Sequence, residues 1–261
     1  MPKTRTMDKN SNIAFSITLL VLAFLYWEKL PEKDATSPQN GNEKQYFTAA
    51  YGTPFLDGRS DDVAWQSAPW LPLDQVWLGE SPAANDFSGR YKLLWDDNNL
   101  YVLAEITDDT LVDTHPDGLL QYWDDDCLEI FVDEDASGGD HQYSYNAFAY
   151  HIALDGKVVD IRPDREFAYF NEHCTTRINT VGQVTTWEVA VKIFDGNTYE
   201  ADSENVAKWL KKGKKMGFAL AYCDNDYASE RENFMGSVRV AGEDKNRGWI
   251  DAGVFGLLTL E

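Results

Sequence analysis

Strict two-residue alternation in CLEIFVD, residues 127–133, is the feature that most constrains the fold. Leu128, Ile130 and Val132 share one face of an extended chain, and Glu129 lies on the other. Side chains repeat every second residue in a β-strand and every third or fourth in a helix. The stretch therefore predicts a strand. On this period alone, Glu129 points either to solvent or into a binding site.

Similar runs joined by turn residues fill the chain after residue 45. GRYKLLW (89–95) meets LYVLAEI (100–106) across an Asp/Asn turn, and QYSYNAFAYHIAL (142–154) ends at Asp-Gly. Such pairs are typical of hairpins. The pattern predicts an all-β fold, a jelly-roll-like antiparallel β-sandwich of about ten strands. One short helix is predicted at 202–215.

The acidity of the chain limits its partners. The net charge is −21, while the first 45 residues carry six basic and five acidic side chains, so the excess acid lies in the remainder. Phosphate binding needs a basic surface. Nucleic acids are therefore excluded as partners, whereas divalent cations and neutral sugars are compatible with this charge.

The amino terminus resembles an export signal. Three basic residues precede IAFSITLLVLAFLYW, residues 13–27, which has no charge. The run has the length of a signal-peptide core and is short for a membrane span. Residues 1–27 are predicted to be a signal peptide or an uncleaved inner-membrane anchor, and 28–45 a linker. The domain at 46–261 is then periplasmic or extracellular, with membrane contact only through 13–27.

Metal and catalytic signatures are sparse. Three cysteines without a CxxC pair exclude a zinc ribbon and leave open one disulfide or three buried thiols. Glycoside hydrolysis needs two carboxyl groups about 5–9.5 Å apart. Glu129 and Asp133, on one face of a strand, are about 13 Å apart. They therefore cannot form this catalytic pair. The acidic loops 124–126, 133–140 and 224–226 offer oxygen ligands, so a structural calcium ion with unassigned ligands is expected.

Two tryptophans stand in polar loops, where burial is not forced. Trp123 precedes the 127–133 strand, and Trp249 lies in NRGWIDAG. Pyranose rings present C–H faces that stack on indole, and their hydroxyl groups bond to Asn, Glu and Gln. Trp95 and Trp187, which have apolar neighbours, are more typical of a core.

Four collinear motifs resemble family 9 of the carbohydrate-binding modules, the type appended to bacterial xylanases. They are YGTPFLDGRSDDVAWQSA (51–68), KLLWDDNNLYVLAEITDDTL (92–111), YWDDDCLEIFVDED (122–135) and GWIDAGVFGLLTL (248–260). The resemblance spans nearly all of 46–261. It implies a sandwich that grips the terminal sugar of a chain between two tryptophans, and it also raises the expectation of calcium.

The resemblance assigns site residues by position. Trp123 and Trp249 match the two tryptophans, and Glu129 matches the carboxylate on the following strand. Asn146, on the next strand, and Asn246 match two asparagines. Ser144 stands where the xylanase-borne modules have an arginine, and an inserted hairpin at 155–183 extends or covers the pocket.

The predicted function is non-catalytic binding of a glucan- or xylan-type oligo- or polysaccharide in support of carbohydrate catabolism. Three alternatives stay open: a glycoside hydrolase, an interaction domain of the same fold without a sugar site, and a haem domain of similar architecture. Reducing-sugar release, Trp123→Ala and Soret absorbance, respectively, distinguish them.

Overall fold

The computed structural model describes residues 44–115 and 117–261, and these form fourteen strands. The strands are β1 Tyr46–Tyr51, β2 Leu71–Leu73, β3 Gln75–Leu78, β4 Phe87–Trp95, β5 Asn99–Asp108, β6 Cys127–Asp133, β7 Phe148–Ala153, β8 Val158–Ile161, β9 Phe167–Tyr169, β10 Cys174–Val181, β11 Val184–Lys192, β12 Lys215–Asp224, β13 Asn233–Gly236 and β14 Gly256–Leu260. Two short 3-10 helices cover Val63–Ser67 and Ala252–Val254. The signal or anchor prediction for 1–27 lies outside the described residues, as does the predicted linker up to residue 43. Within the described chain, no helix has the length and apolarity to cross a membrane.

The strands form two packed sheets linked by β1. The first sheet has the order β10-β11-β5-β4, with β2 beside β4, and the second has the order β14-β12-β6-β7-β8-β9. β13 and β3 extend the second sheet beside β12. Strand β1 runs parallel to β14 through residues 46–49 and parallel to β4 at residues 50–51. The predicted all-β sandwich is confirmed, although the two parallel pairs make it mixed and short strands such as β2 and β9 raise the number.

Strand β6 is buried on both faces. Leu128, Ile130 and Val132 point into the core between the sheets, as their alternation predicts. Phe131, on the other face, packs against Trp77 and Phe255 at ring distances of 5.9 and 5.6 Å. The loops around β13 and before β14 supply this second apolar layer. A charged side chain on that face is therefore enclosed rather than exposed to solvent.

The predicted helix at 202–215 is absent, and this prediction is wrong. The segment is irregular, and its backbone donors bond to distant strand ends rather than within a helix. Lys208 N donates to the Ile193 carbonyl at 2.7 Å, and Leu210 N donates to the Asp97 carbonyl at 2.9 Å. Because Leu210 is also buried in the core, tertiary packing overrides the local helix propensity.

A buried carboxylate holds the loop that covers the first sheet. Glu188 of β11 is fully buried, and its Oε1 accepts the Trp65 indole N–H at 2.8 Å. Its Oε2 accepts the backbone N–H groups of Asp57 and Gly58, both at 2.8 Å. Gly58 has a φ of 82°, and an added Cβ would lie 2.9 Å from Asn179 Cβ. The position therefore favours glycine.

Candidate functional site

A cavity of about 340 Å³ opens on the outer face of the second sheet, beside β6, β7 and β8. Four of the six predicted site residues line it: Trp123, Glu129, Asn246 and Trp249. The inserted hairpin of β8 and β9 supplies a wall through Asp160, Ile161 and Phe167. Three polar residues of the lining, His151, Asp160 and Arg231, were not predicted from the sequence.

Aromatic side chains form much of the wall around Trp123. Tyr122 meets Trp123 edge to face, with the ring centroids 5.0 Å apart. Phe167 lies 5.8 Å from Trp123 and 5.3 Å from Tyr122. The Tyr122 and Phe167 rings fix the orientation of the Trp123 indole, so that it presents a preformed apolar surface to the cavity.

His141 fixes the loop that carries Trp249. The His141 ring Nε2 bonds to the carbonyl of Gly248 at 2.7 Å, and its backbone N donates to the carbonyl of Ile250 at 2.8 Å. Burial lowers the pKa of His141, so the ring is neutral at pH 7 and donates its Nε2–H. Trp249, 37% exposed, is thereby held on both sides while its ring stays accessible.

Glu129 lies at the floor of the cavity, and only 2% of its surface is exposed. Its Oε1 lies 2.7 Å from His151 Nε2 and 3.2 Å from Arg231 Nη1, and it also accepts the Cys223 thiol at 3.1 Å. Burial would raise the pKa of Glu129, but His151 and Arg231 hold it below its ordinary value. Oε2 has no hydrogen-bond partner in the described part of the chain, so an ionised acceptor is left for a ligand.

Arg231 brings a guanidinium into the cavity from the loop between β12 and β13. Nη1 bonds to Glu129 and, at 2.9 Å, to the Cys223 sulfur. The guanidinium also stacks 4.0 Å above the Phe234 ring. Nε and Nη2 have no acceptor among the residues described. The xylanase-borne modules have an arginine at the position of Ser144. In this chain Arg231 brings a guanidinium into the cavity from a segment outside the four motifs.

Ser144 and Asn146 do not line the cavity, and the expected position of Asn146 on the strand next to Glu129 is wrong. Residues 141–147 form a turn, and β7 begins only at Phe148. The Asn146 amide instead donates to the Gly138 carbonyl at 2.9 Å. His151 is the residue opposite Glu129. A histidine inside the apolar run AFAYHIAL is the same signal that singled out Glu129.

Asp160 is a second carboxyl group in the lining, but its oxygen atoms are already engaged. Oδ2 accepts the Ala149 backbone N–H at 2.9 Å, and Oδ1 accepts that of Ile161 at 2.7 Å. Burial raises the pKa of Asp160 to about 8, and the charge of Glu129 adds to the rise. Each oxygen of Asp160 therefore accepts one backbone N–H group of the pocket wall.

A cluster of three aspartates lies apart from the cavity lining. Ligand oxygens of Asp108, Asp126 and Asp224 lie within 4.8 Å of one another, and all three residues are buried. Asp224 Oδ2 has no hydrogen-bond partner in the part of the chain that the structure describes. Burial, with contributions from neighbouring carboxylates, raises the pKa of Asp126 to about 9 and those of Asp224 and Asp108 to about 7 and 6. Such a donor set fits a hard divalent cation such as calcium.

The aspartates at 124–126, which the sequence offered as possible oxygen ligands, are not exposed to solvent. All three are buried, and each bonds to a neighbouring loop. Asp125 accepts the backbone N–H groups of Thr114 and His115, and Asp126 accepts that of Val112. The cysteines are three buried free thiols, with Cys127 opposite Cys223 in the β6–β12 pair.

A family profile described as "Carbohydrate family 9 binding domain-like" matches residues 56–261. The chain belongs to this family. The family 9 module is 26% identical over 263 residues to endo-1,4-beta-xylanase A of Thermotoga neapolitana, an alignment that covers 97% of this chain and 22% of that enzyme. It is 36% identical over 90 residues to exoglucanase XynX of Acetivibrio thermocellus, covering 34% of this chain and 8% of that protein. The chain thus spans about a fifth or less of these relatives.

Solved family 9 modules share its fold. A module from Caldicellulosiruptor kristjanssonii in complex with cellotriose superposes with a TM-score of 0.64 at 21% identity, over 83% of this chain and 94% of that one. A family 9 module from the same organism in complex with glucose gives a TM-score of 0.62 at 20% identity, over 83% of this chain and 96% of that one. Family membership confirms the prediction of a non-catalytic carbohydrate-binding module. Carbohydrate binding is therefore the function of this domain, rather than bond cleavage.

Proposed function

We propose that the family 9 module binds the terminal pyranose of a β-glucan- or xylan-type chain between Trp123 and Trp249. The observation that carries this proposal is one cavity that combines two accessible indoles with a buried, ionised carboxylate whose Oε2 has no hydrogen-bond partner among the described residues. The indoles stack on the C–H faces of the sugar, and the polar groups bond to its hydroxyls.

Several polar groups in the lining of the cavity suit a polyhydroxylated ligand. Glu129 Oε2 accepts from sugar hydroxyls, and the free Nε and Nη2 of Arg231 donate to them. The Asn246 side-chain amide, which has no partner in the described chain, both donates and accepts. A donor next to an acceptor matches a hydroxyl group, which is itself both.

The size of the cavity favours a chain end. Its volume of about 340 Å³ is near the lower limit of small-molecule pockets, about 300–1,000 Å³. A space of this size suits one or two sugar rings. Support for the sugar class comes from the xylanase and exoglucanase relatives and from the family modules solved with cellotriose and glucose.

Calorimetric titration of the full chain with glucose, cellobiose, cellotriose and xylobiose tests the proposal. We expect saturable binding with dissociation constants between millimolar and micromolar, about 4–8 kcal/mol. Trp249→Ala and Trp123→Ala should abolish it. Trp209→Ala is the matched control, because Trp209 is 70% exposed and lies outside the cavity. Unchanged binding in a folded Trp123→Ala protein would contradict the two-tryptophan site, and no binding of any sugar would favour an interaction domain.

We also propose that Asp108, Asp126 and Asp224 hold one structural calcium ion. Support comes from their burial, the shared reach of their oxygens and the unpaired Asp224 Oδ2. The ion would neutralise a buried cluster of carboxylates where β5, β6 and β12 meet. Export of the domain and anchoring through residues 13–27 stay predictions from the sequence.

A further inference from the structure

The segment NVAKWLKKGKK, residues 205–215, is an island of positive charge on an acidic protein. It contains five lysines and no acidic residue, in a chain of net charge −21. Two apolar side chains project from it into solvent: Val206 is 84% exposed and Trp209 is 70% exposed. We call it the basic segment.

The basic segment is held in place rather than loose. Leu210 is buried in the core, and the backbone N–H groups of Lys208 and Leu210 bond to the ends of the first sheet at 2.7 and 2.9 Å. With Leu210 fixed inside, its neighbour Trp209 is fixed outside. The exposure of the Trp209 indole is thus a feature of the fold. Burying the indole would require Leu210 to leave the core.

Three of the five lysines are free to meet a partner. Lys208 pairs with Asp195 at 2.7 Å, and Lys214 pairs with Glu134. Lys211, Lys212 and Lys215 are exposed and have no acidic partner within the described chain. The basic segment therefore carries three exposed ammonium groups without an acidic partner in the described chain as well as an exposed indole. This combination is complementary to an anionic surface with an apolar layer beneath it.

The neighbourhood of Trp209 does not resemble a second sugar platform. Sugar recognition requires acceptors as well as donors beside the indole. The only amide of the basic segment, that of Asn205, is already used: it accepts the Glu200 backbone N–H at 3.0 Å and donates to the Glu200 carbonyl at 2.8 Å. The remaining polar groups are ammonium groups, which only donate.

The basic segment ends, at Lys215, two strands away from the first strand of the domain. Lys215 in β12 pairs with Thr259 in β14, and Thr259 pairs with Thr48 in β1. Two strand spacings, about 10 Å, therefore separate Lys215 from the first strand. The preceding 43 residues include the apolar run at 13–27, which is predicted to reach a membrane.

We propose that the basic segment docks on an anionic lipid bilayer. Val206 and Trp209 enter the interfacial layer, while Lys211, Lys212 and Lys215 contact headgroup phosphates. Tryptophan is enriched at this depth of a membrane, and each lysine near an anionic leaflet strengthens binding about fivefold. Docking would fix the orientation of the sugar cavity relative to the membrane.

An environment-sensitive nitrobenzoxadiazole label on the full chain tests this proposal. Val206→Cys places it on the basic segment, and the native thiols, at most 7% exposed, are protected from labelling. Val181→Cys is the matched control: Val181 is 72% exposed and lies near the far end of β11 from Ile193, which bonds to Lys208. Both labelled chains share the same amino terminus, so its membrane contact cancels.

We expect phosphatidylglycerol-containing vesicles to blue-shift and brighten the label at 206 but not at 181. Pure phosphatidylcholine vesicles should have little effect. Combined Lys211→Glu, Lys212→Glu and Lys215→Glu substitutions should weaken the response at least about hundredfold, with sugar binding reporting that the fold is kept. An equal response at both labels, or one insensitive to lipid charge and to these substitutions, would overturn the proposal. A response to polygalacturonate but not to vesicles would do the same in favour of an acidic glycan.

Discussion

Glu129 and His151 face each other across β6 and β7, with 2.7 Å between Glu129 Oε1 and His151 Nε2. With Arg231 and the Cys223 thiol on the same oxygen, Oε1 is saturated. The other oxygen has no partner in the described chain. Oε1 thus has a structural role, whereas Oε2 is open to a ligand. The partners of Oε1 keep the whole carboxylate ionised.

Glu129→Gln should weaken sugar binding by about 10- to 100-fold, because hydrogen bonds to charged groups contribute about 1.5–3 kcal/mol. The amide also removes the counter-charge of Arg231. Isothermal titration with cellobiose measures the effect. Glu105→Gln, which alters a carboxylate paired with Arg90 on the other sheet, should leave the dissociation constant unchanged. Equal affinities for wild type and Glu129→Gln would remove Glu129 from the site.

Arg231→Lys should weaken binding about tenfold although the charge is kept. A lysine ammonium cannot bond to Glu129 and present a planar pair of further donors at the same time. The same titration checks this, with Arg90→Lys as the control, since Arg90 pairs with Glu105 away from the cavity. If Arg231→Lys binds as the wild type does, the guanidinium serves only to neutralise Glu129.

Calcium should raise the melting temperature of chelator-treated protein. At a hundredfold excess over its dissociation constant, a bound ion adds about 2.7 kcal/mol, or about 5–10 °C for a domain of this size. Differential scanning fluorimetry measures the shift. Asp224→Asn should reduce it, whereas Asp61→Asn, at an exposed carboxyl paired with Arg59, should not. A melting temperature independent of calcium would refute the proposed ion.

Glu188→Gln should lower the free energy of unfolding by about 2–3 kcal/mol, because one buried amide cannot accept from all the donors that Glu188 holds. The loss concerns the Trp65 indole and the 57–58 loop, far from the sugar cavity. Urea unfolding measures it against Glu105→Gln. Sugar affinity of the folded variant should equal that of the wild type, and a drop would show that the two sheets are coupled.

Acid should destabilise the module through His173. This ring lies between the hydroxyl groups of Tyr150 and Tyr199, both at 2.8 Å, and burial lowers its pKa to about 4. In the unfolded chain the pKa is about 6.5, so the unfolded state binds more protons between these values. Stability is therefore complete above pH 6.5 and declines as the pH falls towards 4, by about 3 kcal/mol.

Urea unfolding of wild type and His173→Gln from pH 7 to pH 4 measures this dependence. The glutamine keeps hydrogen bonding to the tyrosines but does not titrate in this range. The wild type should therefore lose more stability than the variant over this pH span. Parallel curves would mean that another group causes the acid sensitivity.

Local alternation was enough to predict the sandwich, because one buried face suffices to set a period of two. It could not show that β6 is buried on its second face, since that depends on Trp77 and Phe255, both more than fifty residues away from Phe131 in the chain. The prediction of a helix at 202–215 was wrong for a related reason. The backbone partners of this segment are Ile193, just after β11, and Asp97, in the turn between β4 and β5, and no local pattern encodes them.

In the candidate site, too, some residues could be predicted from the sequence and others could not. Trp123 and Trp249 were predicted because a tryptophan in a polar loop leaves a local trace, and Glu129 stood out as a charge inside an apolar run. The family resemblance decided for the pocket at Glu129, and it alone assigned Asn246; all four residues line the cavity. The position of Asn146 was predicted wrongly because the sequence pattern placed it inside an extended run that begins at Gln142. In the structure residues 141–147 form a turn, and β7 begins only at Phe148. Arg231 could not be found, since an arginine in an acidic loop looks like surface until the loop folds over the sheet.

Strand β1 determines how the module would respond to a pulling force. It pairs with β14 in one sheet and with β4 in the other. Tension on the chain before Tyr46 therefore acts along the strand and loads its hydrogen bonds to both sheets together, in shear, instead of opening them one at a time. A domain held by its amino terminus and bound to a sugar chain would thus carry the load at its first strand before the cavity deforms.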